Sequence, residues 1–176
     1  MTALWLLALQ GIIGAFDTIY YHEWKARLPA LGKKASKELC LHAARDVLYA
    51  ILFIGLALGQ WQGLWAAVLL IVLAAEIVFT LWDFVVEIAV RKPLGDVYAG
   101  ERVTHAVMGI LYGAMLVFLL STLRAWWQLP TAITTSETPE FLKWSLIIMG
   151  LGVFLSGVRD IMASMEITGS DWPWND

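Results

Sequence analysis

The chain has 176 residues, of which 60% are hydrophobic, only 15% are charged and ten are tryptophan. Its mean hydropathy of +0.70 exceeds that of soluble domains, so the composition predicts an integral membrane protein. The net charge of -3 argues against a nucleic-acid partner. A single cysteine, Cys40, excludes an internal disulfide and a metal site built from several cysteines.

Five apolar segments are long enough to cross a bilayer, which needs about 20 helical residues. The predicted spans cover residues 3–21, 38–59, 64–90, 103–123 and 141–164. The first is expected to be a retained helix, because no basic segment precedes it and no small-residue cleavage site follows it. Since no repeat or change in composition marks a boundary, residues 1–176 are predicted to form one all-α bundle of five transmembrane helices.

The basic residues of the connections predict the orientation of this bundle. Eight of the twelve Lys and Arg lie in the connections after spans 1 and 3, and cytoplasmic loops carry such an excess. The N-terminus is therefore predicted outside and the C-terminus in the cytoplasm, with the bacterial inner membrane as the expected location. The connections after spans 2 and 4 are expected to be an external turn and an external loop. The eight cations are Lys25, Arg27, Lys33, Lys34, Lys37, Arg91, Lys92 and Arg102.

The third span carries three carboxylates, Glu76, Asp83 and Glu87, within an apolar segment. At about 100° per residue they lie within about 40° of one another on one helix face. Ionisable residues inside membrane helices are costly, face the bundle interior and mark functional sites. Glu76 lies about 16 Å from Glu87 along the helix axis, so it is predicted to be a protonated, hydrogen-bonded carboxyl or a ligand at a second position.

The predicted topology gathers ionisable side chains from all five spans within about 16 Å of the cytoplasmic face. Three pairs are four residues apart and so share a helix face: His42 with Asp46, Asp83 with Glu87, and Glu101 with His105. Carboxylates and imidazoles on facing helices are typical of metal sites in helical bundles. The predicted metal ligands are Asp17, His42, Asp46, Asp83, Glu87, Glu101 and His105.

This ligand chemistry resembles that of the ferritin-like and membrane-bound di-iron carboxylate proteins. The resemblance implies two divalent ions, with Fe or Mn favoured and Zn possible, and an oxidoreductase that acts on a lipid, a quinol or another apolar substrate. A soluble redox partner at the cytoplasmic face is expected with it. The spacing differs from the Glu-x-x-His signature of those proteins, because this chain has His-x-x-x-Asp and Glu-x-x-x-His instead.

Other polar residues are assigned supporting roles. Arg45, Arg159, Asp160 and His22 are expected to surround the ligands, with the arginines neutralising acids such as Asp46 and Asp160. For His22 a position in headgroup water is favoured. Glu76, Tyr49 and Tyr112 are predicted to be catalytic, Glu76 in proton handling and the tyrosines as hydrogen-bond donors to metal-bound oxygen. The structural alternative for Asp83 and Glu87 is a salt-bridge layer with Arg45 or Arg159, and that for Glu101 is a helix cap.

Three other functions remain open at this point. The first is a zinc-dependent hydrolase of membrane lipids, in which three ligands and a water would surround the ion. The second is a haem b electron carrier with His42 and His105 as axial ligands. The third is a transporter or scaffold protein that uses the acids as a path for protons or cations, although no pair of broken helices supports alternating access.

Overall fold

The computed structural model describes residues 1–174 and is helical over most of that length. Its α-helices are α1 (Thr2–Asp17), α2 (Leu28–Leu31), α3 (Ser36–Leu58), α4 (Leu64–Arg91), α5 (Ala99–Trp127) and α6 (Glu140–Ser164). A π-helical segment, Thr18–Lys25, continues α1, and short 3-10 turns precede α3 and follow α4. Within the described residues, five helices are long and apolar enough to span a membrane, which confirms the all-α prediction.

A small antiparallel sheet joins two connections at one end of the bundle, which we call the sheet end. Strands β1 (Gly59–Gln62) and β2 (Ala132–Thr135) pair with Gly59 opposite Thr135. The predictions of a turn and a loop for these segments are therefore wrong. The β-branched run Ile133-Thr134-Thr135 favours a strand, but its partner lies far away in the chain.

The opposite end of the bundle carries exposed Lys and Arg side chains, and we call it the basic end. The large apolar core lies toward the sheet end and includes the fully buried Leu7, Leu52 and Leu146. A second, smaller apolar cluster around Leu28 and Leu39 lies at the basic end. Two buried charged residues lie level with the smaller cluster, since Glu38 directly precedes Leu39 and Arg91 directly follows Val90, which packs against that cluster.

The outer faces of the helices differ from the contacts between them. The outward faces are apolar, and Ile71, Val117 and Phe141 are 67%, 69% and 77% exposed. Soluble proteins rarely expose contiguous apolar surface on this scale. Inside the bundle, α3 and α6 approach closely. A Cβ atom added at Gly157 of α6 would lie only 2.8 Å from the Cβ atom of Asp46 in α3.

Candidate metal centre

All three histidines of the chain meet in one cluster near the basic end. The rings of His22 and His42 stack with their centroids 4.7 Å apart, and the centroid of His105 lies 6.2 Å from that of His22. These rings come from the π-helical segment, from α3 and from α5. The fold therefore brings together imidazoles that lie far apart in the sequence.

The tightest group of donor atoms belongs to Asp17, His22 and His105. One donor of each lies within 4.8 Å of the other two. Oδ2 of Asp17 is 2.9 Å from Nε2 of His105 and 3.4 Å from Nε2 of His22. Oε1 of Glu101 lies 3.3 Å from the same His22 nitrogen. Two imidazoles and one carboxylate form the donor set of non-haem iron sites. Glu101 contacts His22 but is not part of this group of three.

The π-helical segment explains how Asp17 and His22 reach the same point. Residues five apart lie about 140° apart around an α-helix. In a π-helix the backbone bonds run between residues five apart, so that such residues come onto one face. The expectation that His22 lies in headgroup water is wrong, because its side chain is only 13% exposed.

A second group of donors surrounds His42. Its Nε2 lies 3.4 Å from Oδ2 of Asp83, and its Nδ1 lies 3.8 Å from Oδ2 of Asp160. The guanidinium of Arg45 donates a hydrogen bond to the same oxygen of Asp83. Arg45 therefore pairs with Asp83, as the salt-bridge alternative predicted. It does not pair with Asp46. Asp46 itself packs against Gly157 in the contact between α3 and α6.

Glu87 lies on the far side of the His105 ring from Asp17. Its Oε1 is 3.6 Å from Nδ1 of His105, and the ring of Phe84 stacks on this imidazole at a centroid distance of 5.1 Å. A partner on the second nitrogen of a metal-binding histidine fixes its tautomer and orientation. Glu87, which the sequence predicted to be a ligand, thus lies beside the second ring nitrogen of His105.

Arg91 and Glu38 belong to the buried cluster, and the sequence did not identify either of them. Arg91 is only 2% exposed, and its guanidinium contacts Glu38 Oε1 at 3.1 Å and Glu101 Oε2 at 3.3 Å. Its assignment to the loop cations is therefore wrong. The spacing contained a signal, because Arg91 follows Glu87 by four residues and so shares its helix face. Glu101 also accepts a hydrogen bond from the backbone N–H of Tyr98, so the predicted cap exists as well.

Arg159 binds the C-terminal tail, residues 165–174, and does not neutralise Asp160. Its guanidinium pairs with Glu23 and donates hydrogen bonds to the backbone carbonyls of Ser170 and Trp172, at 3.1 and 2.6 Å. The tail is held again by Lys33, whose ammonium lies 2.9 Å from Glu166. This hydrogen bond holds the pKa of the Glu166 carboxyl below its usual value. These contacts attach the tail to the basic end of the bundle.

With all carboxylates ionised and the histidines neutral, the buried donors carry more negative charge than the arginines beside them neutralise. Six carboxylates face two arginines, Arg45 and Arg91, which leaves four negative charges when the histidines are neutral. We call these carboxylates and the three histidines the donor layer: Asp17, His22, Glu38, His42, Asp83, Glu87, Glu101, His105 and Asp160.

Several buried atoms of the donor layer lack a hydrogen-bond partner among the described residues. A buried carboxylate without a partner is costly, and a bound cation removes that cost. Four of them are carboxylate oxygens that accept no hydrogen bond in the described structure: Asp17 Oδ1, Glu38 Oε2, Asp83 Oδ1 and Glu87 Oε2. The other three lie near an ion-pair partner, because His22 Nε2 and Glu101 Oε1 are 3.3 Å apart and His42 Nε2 is 3.4 Å from Asp83 Oδ2.

The three residues predicted to be catalytic form a separate group, deeper in the bundle. Glu76 is 1% exposed and accepts a hydrogen bond of 2.6 Å from Thr80, while Gln10 donates one of 2.8 Å to the hydroxyl of Tyr49. The rings of Tyr49 and Tyr112 are 6.3 Å apart, and both residues lie beside Glu76. We call these five residues, Gln10, Tyr49, Glu76, Thr80 and Tyr112, the Glu76 cluster.

Comparison with known proteins gives no match. No family model, no curated protein and no solved structure is similar to this chain. The function is therefore inferred from the geometry and charge of the donor layer.

Proposed function

We propose that the chain is an integral membrane protein of the bacterial inner membrane, with its N-terminus outside and its C-terminus in the cytoplasm. The five apolar helices and the apolar outer surface support insertion in a bilayer. The burial of Arg91 leaves seven of the eight predicted loop cations, and all seven are exposed at the basic end. Arg124 and Lys143 are the cations toward the sheet end, so the positive-inside rule supports a cytoplasmic basic end.

Reporter fusions test this orientation. Green fluorescent protein fused after Asp176 should fluoresce, whereas alkaline phosphatase at the same point should be inactive, because it folds only outside the cytoplasm. As a matched control, phosphatase fused after Trp127, at the end of α5, should be active. Active phosphatase at the C-terminus together with an inactive fusion after Trp127 would show the opposite orientation.

We infer that the donor layer holds a centre of two divalent metal ions, Fe or Mn. The observation that supports this proposal is the set of buried donor atoms that lack a hydrogen-bond partner among the described residues. Asp17, His22 and His105 would hold the first ion with Glu101, and His42 with Asp83 would contribute to the second. Two divalent cations also neutralise the four excess negative charges of the layer. Such a centre supplies one-electron redox chemistry and activates a bound oxygen ligand.

An apolar substrate, such as a lipid or a quinol, fits the surroundings of this centre. A groove of about 520 Å³ opens at the outer surface between α3 and α4, and its lining includes Leu41, Trp82 and Val86. Leu41 and Trp82 directly precede His42 and Asp83 in the chain, so the groove runs beside the second group of donors. The proposed activity is therefore that of a membrane oxidoreductase that receives electrons from a soluble partner in the cytoplasm.

A mononuclear zinc hydrolase is the second candidate, because Asp17, His22 and His105 by themselves provide the three ligands of a catalytic zinc site. The geometry argues against haem between His42 and His105, since the ring of His22 lies against both. The pairs of Arg45 and Arg91 with acids support the third alternative, a charge-compensated path for protons or cations.

Metal analysis of the protein, purified in detergent without chelators, separates these functions. We expect about two Fe or Mn per chain and no Soret band. About one Zn per chain would support the hydrolase instead. If the protein contained no metal and bound none after incubation with Fe(II), Mn(II) or Zn(II), the metal centre would be refuted.

A further inference from the structure

Two open grooves run along the outer surface of α3, one on each side of this helix. The larger groove, of about 520 Å³, lies between α3 and α4. The smaller groove, of about 280 Å³, lies between α3 and α6. Cys40 lines both of them, so it marks the ridge of α3 that separates the two grooves. The grooves therefore share one wall, and the residues of their other walls can be compared directly.

The walls of the larger groove are apolar along most of its length. Leu41 comes from α3, whereas Trp82 and Val86 come from α4. Trp82 is 56% exposed, so its side chain faces the surroundings of the bundle. Tryptophan is enriched where membrane proteins meet the interface of the bilayer. In the proposed membrane these walls fit the acyl chain of a lipid.

One end of the larger groove is polar and positively charged. Ser36 and Lys37 line it at the start of α3, at the basic end of the bundle. In residues 1–174 the ion pairs of lysine involve Lys33 and Lys143, so the exposed ammonium of Lys37 has no acid within ion-pair distance. Lys34, in the 3-10 turn directly before α3, is also exposed and unpaired there. This end of the groove thus presents positive charge that the described residues do not neutralise.

The smaller groove has the same apolar character without the charge. Apart from Cys40, its lining consists of Ala43, Ala44, Val47, Gly157, Val158 and Ile161. Both grooves would face lipid in the proposed membrane, so apolar walls alone do not distinguish them. The larger groove differs in having Ser36 and Lys37 at one end. This combination fits a ligand that has an apolar chain and a negatively charged headgroup.

We propose that the groove between α3 and α4 binds one anionic phospholipid, with its phosphate at Lys37 and an acyl chain along Leu41, Trp82 and Val86. The cytoplasmic leaflet contains anionic lipids, and basic pockets between transmembrane helices on this side bind their headgroups. The proposed orientation places the basic end at that leaflet. A quinol carries no charge that would neutralise Lys37. Binding of the lipid is independent of any metal, whereas its use as the substrate rests on the proposed function.

Native mass spectrometry of the protein, purified in detergent, tests the headgroup contact. The protein is mixed with equal amounts of phosphatidylglycerol and phosphatidylcholine that have identical acyl chains, and we expect it to retain phosphatidylglycerol preferentially. Lys37→Gln should lower this preference about fivefold, which is the contribution of one cation near an anionic membrane surface. The matched control Lys25→Gln removes another exposed cation from the basic end, outside the groove, and should keep the preference.

Two further measurements test the apolar part of the site. Val86→Trp places a larger side chain at a half-buried position of the groove, so it should remove the preference while the helix content in circular dichroism stays unchanged. Cys40 provides a readout in a protein that is otherwise wild type. Phosphatidylglycerol should slow its reaction with a maleimide more than phosphatidylcholine does, and Lys37→Gln should abolish this difference.

Equal binding of the two lipids to the wild type would overturn the proposal. Equal losses in Lys37→Gln and Lys25→Gln would also overturn it, because they would show attraction to the whole basic end. A full preference in Val86→Trp would show that the acyl chain does not lie in the groove. These measurements involve no metal, so a protein that keeps the preference but binds no metal would refute the proposed function alone. A protein that binds metal without the lipid preference would refute the lipid site alone.

Discussion

Replacing Arg91 with methionine should lower the free energy of unfolding by about 3–5 kcal/mol. The substitution removes the only arginine that contacts Glu38 and Glu101 in the described structure, and it leaves both carboxylates buried without their charge partner. Breaking a buried ion pair in this way is far more destabilising than removing an exposed one. The change is measurable by thermal or denaturant unfolding in detergent micelles.

The control is Arg102→Met, which removes an exposed pair with Asp96 that spans 2.8 Å. It should change stability by less than about 1 kcal/mol. The triple variant Arg91→Met/Glu38→Gln/Glu101→Gln should recover part of the loss, since it no longer buries uncompensated charge. Equal stability of Arg91→Met and Arg102→Met would show that Arg91 is solvated, against the structure.

Replacing His22 with alanine should abolish metal binding at the first ion position. Mutating a residue that only hydrogen-bonds to a metal ligand already lowers the metal affinity roughly 10–100-fold. Loss of a direct ligand should lower it at least as much. His105→Ala should behave in the same way, because the two imidazoles share Asp17. Metal content per chain and the apparent Kd from competition with a chelating dye measure the loss.

His42→Ala separates the dinuclear site from the mononuclear one. It should remove only the second ion from a dinuclear centre, whereas a mononuclear site of Asp17, His22 and His105 would keep its single ion. The control Asp96→Asn changes an exposed acid outside the donor layer and should leave metal content unchanged. Full metal content in both His22→Ala and His105→Ala would remove these residues from the ligand set and refute the site.

Much of the candidate site was predictable from the positions of charged residues in apolar segments. His105, Asp17, Glu101, Asp83 and His42 all lie in the donor layer, as the sequence predicted. Their individual roles were harder to predict from the sequence, because a role depends on which neighbours each side chain contacts. Glu87 lies beside the second ring nitrogen of His105, while Asp46 contacts α6.

The sequence by itself determined the five long helices and the existence of a polar layer near one end. Both follow from local properties, namely the length of each apolar segment and the cost of placing an ionisable group against lipid. Only the tertiary structure decided that His22 lies over Asp17, that Arg91 is buried between Glu38 and Glu101, and that β1 pairs with β2. The choice between α and π bonding is a matter of one hydrogen-bond register, which helical periodicity does not report. The contacts of Arg91 and the pairing of β1 with β2 join distant segments, and the four-residue spacing from Glu87 puts Arg91 on the same helix face without identifying its partners.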